Sequence, residues 1–171
     1  MKVTIRPERT GDERAIRALT DAAFRDMEHS DGDEGPLVER LRADGDLVLS
    51  LVALSSDEAI VGHIAFSPVT VEHGTGPYYQ LSPVSVIPLR QKTGIGSDLI
   101  EKGLADMKGA GAKGIALVGD PAYYSRFGFT RDHALALSPK LDPFLQILVF
   151  EGEAPSGNLT LAPAFGEEGD A

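Results

Sequence analysis

At 171 residues with 42% apolar side chains, the chain is long enough for one domain with a buried core and too apolar for a disordered segment. Its formal net charge of −10 argues against the basic face that a nucleic-acid backbone requires, and leaves room for a cationic substrate steered by the field of the protein. It has no cysteine, which excludes disulfides, thiolate metal sites and a cysteine nucleophile, and no run of about 18 apolar residues to cross a membrane, so a cytoplasmic protein of bacterial type is the expectation.

Val3 to Arg6 alternates and reads as a first strand, not a signal peptide. Thr10-Gly11-Asp12-Glu13 has the spacing of a capping box, and Ile16, Leu19, Ala23 and Phe24 form the apolar stripe of the helix behind it. Glu28 to Gly35 is a polar, glycine-containing loop, after which Pro36 opens a second helix with Leu37, Val38 and Leu41 inward. Leu47–Leu54 reads as a buried strand, Ser55 to Glu58 as a turn, and Ile60–Val71 as a long strand pairing antiparallel with it. Pro68 predicts a bulge or a local end to pairing there. After a turn at Glu72 to Pro77, Tyr78–Ile87 is the fourth strand. Pro83 inside it cannot donate a ladder hydrogen bond.

The stretch from Val84 to Gly111 is where chemistry concentrates. A strand ends at Pro88, a glycine turn follows, and a helix opens out of it with Ile95, Leu99, Ile100, Leu104 and Met107 on one face and Gly109 and Gly111 at its end. The first N–H groups of a helix have no partner within it, and the dipole adds partial positive charge there. Gly94 and Gly96 let an anionic group approach the backbone, and Gln91, Lys92, Thr93 and Ser97 add donors around the same point. A P-loop is excluded because Ser97-Asp98 follows Gly96 where Lys-Ser/Thr is required. A dinucleotide fingerprint is excluded because Leu99 stands where a third small residue belongs. A phosphate or pyrophosphate site is one reading of the turn, and an ordinary tight turn before a helix is the other.

Downstream, Gly114–Gly119 is a short apolar strand, and strand, helix and strand at this spacing predict a parallel pair with a right-handed crossover. Asp120 and Pro121 suit the N-cap and first residue of a short helix holding Tyr123 and Tyr124, and Gly128 suits its C-terminal cap before a further strand. Phe144–Phe150 is a last strong strand, Leu159–Phe165 a small strand or a packed segment, and Gly166–Ala171 an acidic tail expected to be mobile. One domain, residues 1–165, is the expected count.

Gln91-Lys92-Thr93-Gly94-Ile95-Gly96 resembles the Gln/Arg-x-x-Gly-x-Gly/Ala pyrophosphate loop of the GNAT family of N-acetyltransferases, preceded here as there by a Val-x-Pro strand end, Val86-Ile87-Pro88. Tyr124-Ser125-Arg126-Phe127-Gly128-Phe129 resembles the Tyr-x-x-x-Gly-Phe segment near the end of that domain. The resemblance covers roughly Val3 to Phe150. It implies an α/β (α+β) fold with a central mixed, mostly antiparallel sheet flanked by helices, in which a parallel strand pair splays apart to admit the acetyl-pantetheine arm. It implies acetyl-CoA as co-substrate, with the backbone of Val84, Ser85 and Val86 on the pantetheine and Gln91, Lys92, Thr93, Gly94, Ile95, Gly96 and Ser97 around the pyrophosphate. It implies Tyr124 as the acid that protonates the leaving thiolate, and an amine-bearing small molecule or peptide as acceptor. The loop between the first two helices helps form the acceptor site in the family, which makes His29, Asp31, Asp33 and Glu34 candidate amine contacts beside the simpler reading of a solvated loop. Homodimers are common in the family. An asparagine that many members carry before the tyrosine falls on Leu117 here, so that role is not transferred; the Asp-Pro-Ala-Tyr-Tyr form resembles a bacterial branch of predicted acetyltransferases.

Acetyl transfer needs a neutral amine, an aligned thioester, fixed donors for the developing oxyanion and a proton for the leaving thiolate. Backbone N–H groups near Val84 to Val86 are the expected oxyanion donors, and a phenol of ordinary pKa about 10 is protonated at neutral pH, as the acid must be. His63, Glu72, His73 and Asp120 are the base candidates by type. The four histidines show no ligand spacing, so no metal is expected. A non-catalytic CoA-binding or sensor module, and a nucleotide binder without acyl chemistry, are the alternatives.

Overall fold

Alternation within the first strands decides which side chains meet which helices. In the computed structural model, which describes residues 3–25 and 33–166, β1 (Thr4–Pro7) pairs antiparallel with β2 (Leu49–Leu54), and β2 with the first part of β3 (Ile60–His73). The chain divides into two compact units. One comprises Met1–Phe66 with Ser82–Leu104, the other Ser67–Leu81 with Ala105–Ala171.

In the first unit, Val52 and Leu54 of β2 form one apolar cluster with Ile16 of α1 (Glu13–Phe24) and Val38 of α2 (Glu34–Asp44). Ala53, one residue out of phase, faces the other way. There Gly62 of β3 admits α3 (Ile95–Gly109) so closely that a Cβ would lie 2.9 Å from Leu99 Cδ1 and 3.0 Å from Ile95 Cγ2. Gly103 does the same from the helix side, where a Cβ would lie 2.6 Å from the Phe66 ring. Ile95, Leu99, Ile100, Leu104 and Met107 are all buried, as the helical spacing predicts. The anchored stripe fixes where the first turn of α3 points.

In the second unit, β5 (Gly114–Val118) pairs parallel with β4 (Tyr78–Val86) at Tyr78↔Gly114, Tyr79↔Ile115 and Gln80↔Ala116, and goes no further, although β4 continues to Val86. On its other edge β5 pairs antiparallel with β7 (Leu145–Val149) along its whole length. β8 (Ser156–Thr160) pairs antiparallel with the end of β3 and parallel with β6 (Ala134–Ala136). Val69, Tyr78, Ala116, Leu135, Leu145, Ile147, Leu159 and Leu161 make the core cluster of this unit. The strand order is β1-β2-β3-β4-β5-β7 with β6 and β8 attached, a mixed sheet in which the parallel register of β4 with β5 ends at Gln80↔Ala116.

Several local expectations are revised. The capping box at Thr10 is not what starts α1. Asp12 is the N-cap residue without a cap bond, because its carboxylate is held by Arg6 at 2.7 Å and by the Arg9 N–H, while Glu13 accepts from the Gly11 N–H. α2 starts at Glu34, two residues before Pro36, which sits in the first turn where its missing N–H has no intrahelical duty. At Pro68 the expected local end to pairing is found, since the partner of β3 changes there from β2 to β8, although the strand itself runs on to His73. After Gly128 the chain makes one bridge, Thr130 to Ile147, before the three-residue β6. Phe144 lies before β7 and is exposed, and β8 begins at Ser156, three residues ahead of Leu159. His29, Asp31 and most of the acidic tail lie outside the described residues.

Candidate functional site

β4 ends where its neighbour still holds it: the Ile87 N–H donates to Val61 O at 3.0 Å. A short 3-10 turn, Pro88–Arg90, then carries the chain into an exposed loop, Gln91 to Gly94. Lys92 takes φ +64 and Gly94 φ +94, two left-handed positions that fold the loop back over the start of α3. The Asp98 N–H donates to Gly94 O at 3.0 Å, so the N–H groups of Ile95 and Gly96 lie ahead of the helical ladder. A Cβ on Gly94 would meet nothing within 4 Å, so the space over this turn is open.

Three side chains in the loop do something other than expected from sequence. Gln91 Nε2 donates back to Val86 O at 3.0 Å, closing the loop onto β4. Thr93 Oγ1 donates to Arg90 O. Ile95 is buried against Gly62, so it can offer a ligand only its N–H. Lys92 and Gly94 stay exposed, and Gly96 and Ser97 are partly exposed. On β4, Val84 and Val86 are half-buried, while Ser85 is buried with an Oγ that has no hydrogen-bond partner among the described residues. An orphaned buried hydroxyl costs about 1–3 kcal/mol unless something supplies its partner. An extended, amide-rich arm along this strand would supply one, and a pyrophosphate fits an open turn of backbone N–H groups at a helix start. The residues present therefore fit a CoA-type ligand.

The second set of groups is built by the turn after β5. Asp120 caps α4 (Pro121–Tyr124) by accepting the Ala122 N–H at 2.9 Å, and Pro121 follows at the first helical position, as its sequence indicates. Gly128 ends the next turn at φ +97, a left-handed position suited to glycine. The Tyr124 ring lies edge-on to Tyr123 and Phe129, at centroid distances of 4.9 and 6.2 Å. Burial first, then Tyr123 and Asp120, push the Tyr124 phenol up to about 12. Tyr124 is therefore a neutral O–H donor at physiological pH. Tyr123 carries Arg126 over its ring at 4.6 Å, in keeping with a packing role.

Of the base candidates, His63 is fully buried. Its Nε2 meets Ser50 Oγ at 2.8 Å, and Ser50 donates to Glu8 at 2.7 Å, so Nε2 must be the protonated nitrogen. Burial first, and Arg42 with it, lower His63 to about 4 against the pull of Glu8. Asp120 is engaged as a cap. Glu72 accepts the Asn158 N–H at 3.0 Å and lies 3.7 Å from the exposed His73. Asp33 pairs with Arg40 at 2.7 Å, and Glu34 begins α2. Among the described residues no cluster of three or more His, Asp or Glu could hold a metal ion, and no helix is long and apolar enough to cross a membrane.

Sequence reasoning missed Gln146, which is buried in β7 and donates through Nε2 to Gly119 O at 3.0 Å and Phe144 O at 3.2 Å. The available signal was a lone amide within the apolar run Leu145-Gln146-Ile147-Leu148-Val149.

The model of the acetyltransferase (GNAT) family matches residues 14–129. An Escherichia coli protein named as the uncharacterized N-acetyltransferase YhbS is 38% identical over 109 residues, 64% of this chain and 65% of that protein, so the match spans less than two thirds of that relative. The crystal structure of a GNAT family acetyltransferase from Brucella melitensis in complex with acetyl-CoA superimposes with a TM-score of 0.84 at 44% identity, covering 96% of this chain and 98% of that one. The crystal structure of Escherichia coli YhbS in complex with CoA gives a TM-score of 0.85 at 29% identity, covering 96% and 92%.

Proposed function

This chain belongs to the acetyltransferase (GNAT) family, and from that premise we propose that it transfers an acetyl group from acetyl-CoA directly to a primary amine of a small molecule or peptide. The observation that carries the reading is the loop from Gln91 to Gly96, with its two left-handed residues, its open face and the N–H groups that start α3. Two structurally similar proteins, one holding acetyl-CoA and one holding CoA, support the choice of ligand.

When bound, acetyl-CoA supplies a thioester carbonyl for the amine to attack and a thiol as leaving group. The N–H groups of Gly94, Ile95 and Gly96, with Lys92 and Ser97 beside them, hold the pyrophosphate through the helix start. Gln91 serves by closing the loop onto Val86, and Thr93 by bonding Arg90 within it. The β4 backbone at Val84, Ser85 and Val86 holds the pantetheine arm and offers N–H donors to the developing oxyanion. Tyr124 keeps its proton on Oη at neutral pH and gives it to the departing thiolate, and the proton that the attacking amine nitrogen loses restores the phenol by way of solvent. No covalent enzyme intermediate is required, consistent with the absence of cysteine.

Calorimetric titration tests the binding half of the proposal. Acetyl-CoA and CoA should bind in the micromolar range and ATP should not; a folded sample that binds neither thioester nor CoA overturns it. Gly94→Trp or Gly96→Trp should abolish that binding; at Gly94 a Cβ meets no neighbour within 4 Å but a non-glycine residue is strained at φ +94, so circular dichroism and Tm of the variant are read beside the titration. Thiol release across small amines, polyamines, amino acids and peptide N-termini tests the catalytic half. Tyr124→Phe should lower kcat by about 10²-fold at near-constant acetyl-CoA affinity. Equal turnover would remove Tyr124 from the mechanism.

A further inference from the structure

We infer that Gln146 and Gly119 are positioning residues for the Tyr124 phenol, an inference that rests on Tyr124 serving as the acid. Two backbone carbonyls, that of Gly119 in the turn between β5 and α4 and that of Phe144 just before β7, meet at one buried side-chain amide: Gln146 Nε2 lies 3.0 Å from the first and 3.2 Å from the second. Two carbonyl partners identify that end of the side chain as the NH2 group. The Gly119 N–H in turn donates to Phe144 O at 3.0 Å, so both backbone polar groups of Gly119 are tied to the segment that starts β7. The next carbonyl along the chain, that of Asp120, accepts the N–H of Tyr124 at 3.0 Å. Gln146 thus sets the orientation of the peptide from which the tyrosine helix hangs.

Gly119 supplies the other constraint. Its φ is not left-handed, so the backbone does not require glycine. The space does: a Cβ would lie 2.6 Å from Tyr124 Cε2 and 3.1 Å from Cδ2. The ring rests on the bare Cα of Gly119, with Phe129 edge-on to it at 6.2 Å. One residue fixes the platform and the other lets the ring sit on it. A glutamine is specified because both of its partners are acceptors; a carboxylate there would face two carbonyl oxygens.

The test is a double-mutant cycle run with acetyl-CoA and the best amine of the acceptor panel. Gln146→Leu and Gly119→Ala are each expected to lower kcat about tenfold at unchanged acetyl-CoA affinity, the size of a small misplacement of a reacting group. In the Tyr124→Phe background neither should lower it further, because no phenol remains to be misplaced. A merely structural role predicts the same loss in both backgrounds, and that result overturns the positioning role. So does a pair of variants that match the parent while Tyr124→Phe is slow, an outcome that leaves the acid role standing. Wild-type turnover in Tyr124→Phe instead removes the acid role and the positioning with it. A second readout needs neither acceptor nor CoA: in protein labelled with carbon-13 at tyrosine Cζ, the Tyr124 signal, assigned by its loss in Tyr124→Phe, should titrate well above an ordinary phenol and move back towards it in Gln146→Leu. An unchanged signal overturns the inference. If Gln146→Leu does not fold, Gly119→Ala carries both measurements.

Discussion

His63 is the residue at which burial and charge make their clearest demand. Its ring is enclosed, its Nε2–H donates to Ser50, and Ser50 donates to a Glu8 carboxylate that Arg42 grips with two nitrogens at 2.9 and 3.0 Å. Burial raises Glu8, but the hydrogen bonds from Arg42 and Ser50 outweigh it and hold the carboxylate below its ordinary range. Burial lowers His63 from 6.5 to about 4. Above 6.5 the ring is neutral in folded and unfolded chains alike. As the pH falls below that, the unfolded chain binds a proton that the folded one refuses, and stability drops until the folded ring also titrates near 4. Between pH 7 and pH 5 the loss amounts to about 2 kcal/mol, rising to roughly 3 kcal/mol below pH 4. Glu8 adds its own loss further into acid, as the pH passes down through the carboxylate range. Urea unfolding at pH 7, 6 and 5 should show this slope, and His63→Gln, which keeps a donor towards Ser50 but cannot titrate, should flatten it. A wild-type protein equally stable across that window would mean that the ring is not held neutral by its surroundings.

At the scale of elements, α3 follows the loop proposed to bind CoA, and its seat depends on two missing side chains, at Gly62 and Gly103. Replacing Gly103 by alanine should gain about 1 kcal/mol of helix propensity. It also puts a methyl 2.6 Å from a buried Phe66 ring, and overpacking of that kind costs about 1–3 kcal/mol. The clash wins: Gly103→Ala should lower Tm and weaken acetyl-CoA binding by shifting the helix. Gly109→Ala, whose Cβ meets nothing within 4 Å, should leave both unchanged or raise Tm slightly. The helix itself was readable from sequence because its five apolar positions repeat at helical spacing, and the Asp120-Pro121 start was readable because cap chemistry is local. The glycine turn leading into α3 was readable, but the return of Gln91 to Val86 was not, since side-chain direction depends on the fold. The capping-box reading of Thr10 failed for a similar reason: the N-cap falls two residues later, on Asp12, and the Glu13 carboxylate accepts from the Gly11 N–H. The cluster of Glu8, Arg42, Ser50 and His63 could not be read at all: its members are scattered along the chain and meet only because β1, β2 and β3 pair in one register and α2 brings Arg42 to Glu8. Gln146 was visible as an oddity in an apolar strand, and its purpose became visible only with Gly119 beside it.

For the whole molecule, 26 acidic residues against 16 basic ones set a negative field that the two substrates of the proposed reaction would feel with opposite sign. An ammonium-bearing acceptor is drawn towards such a protein, whereas acetyl-CoA, itself an anion, is repelled at long range and held only by the local donors at the start of α3. Raising the ionic strength from about 0.01 M to about 0.1 M shortens the screening length from about 30 Å to about 10 Å, which removes the long-range field and leaves contacts within the loop largely intact. For a polyamine acceptor such as spermidine, kcat/KM should therefore fall several-fold over that range, more steeply than for a monoamine of similar reactivity. For acetyl-CoA it should stay level or rise. Initial rates with each substrate varied in turn, at fixed pH and with a monovalent salt, separate the two trends. A polyamine rate indifferent to salt would show that the acidity serves solubility alone and takes no part in choosing the acceptor.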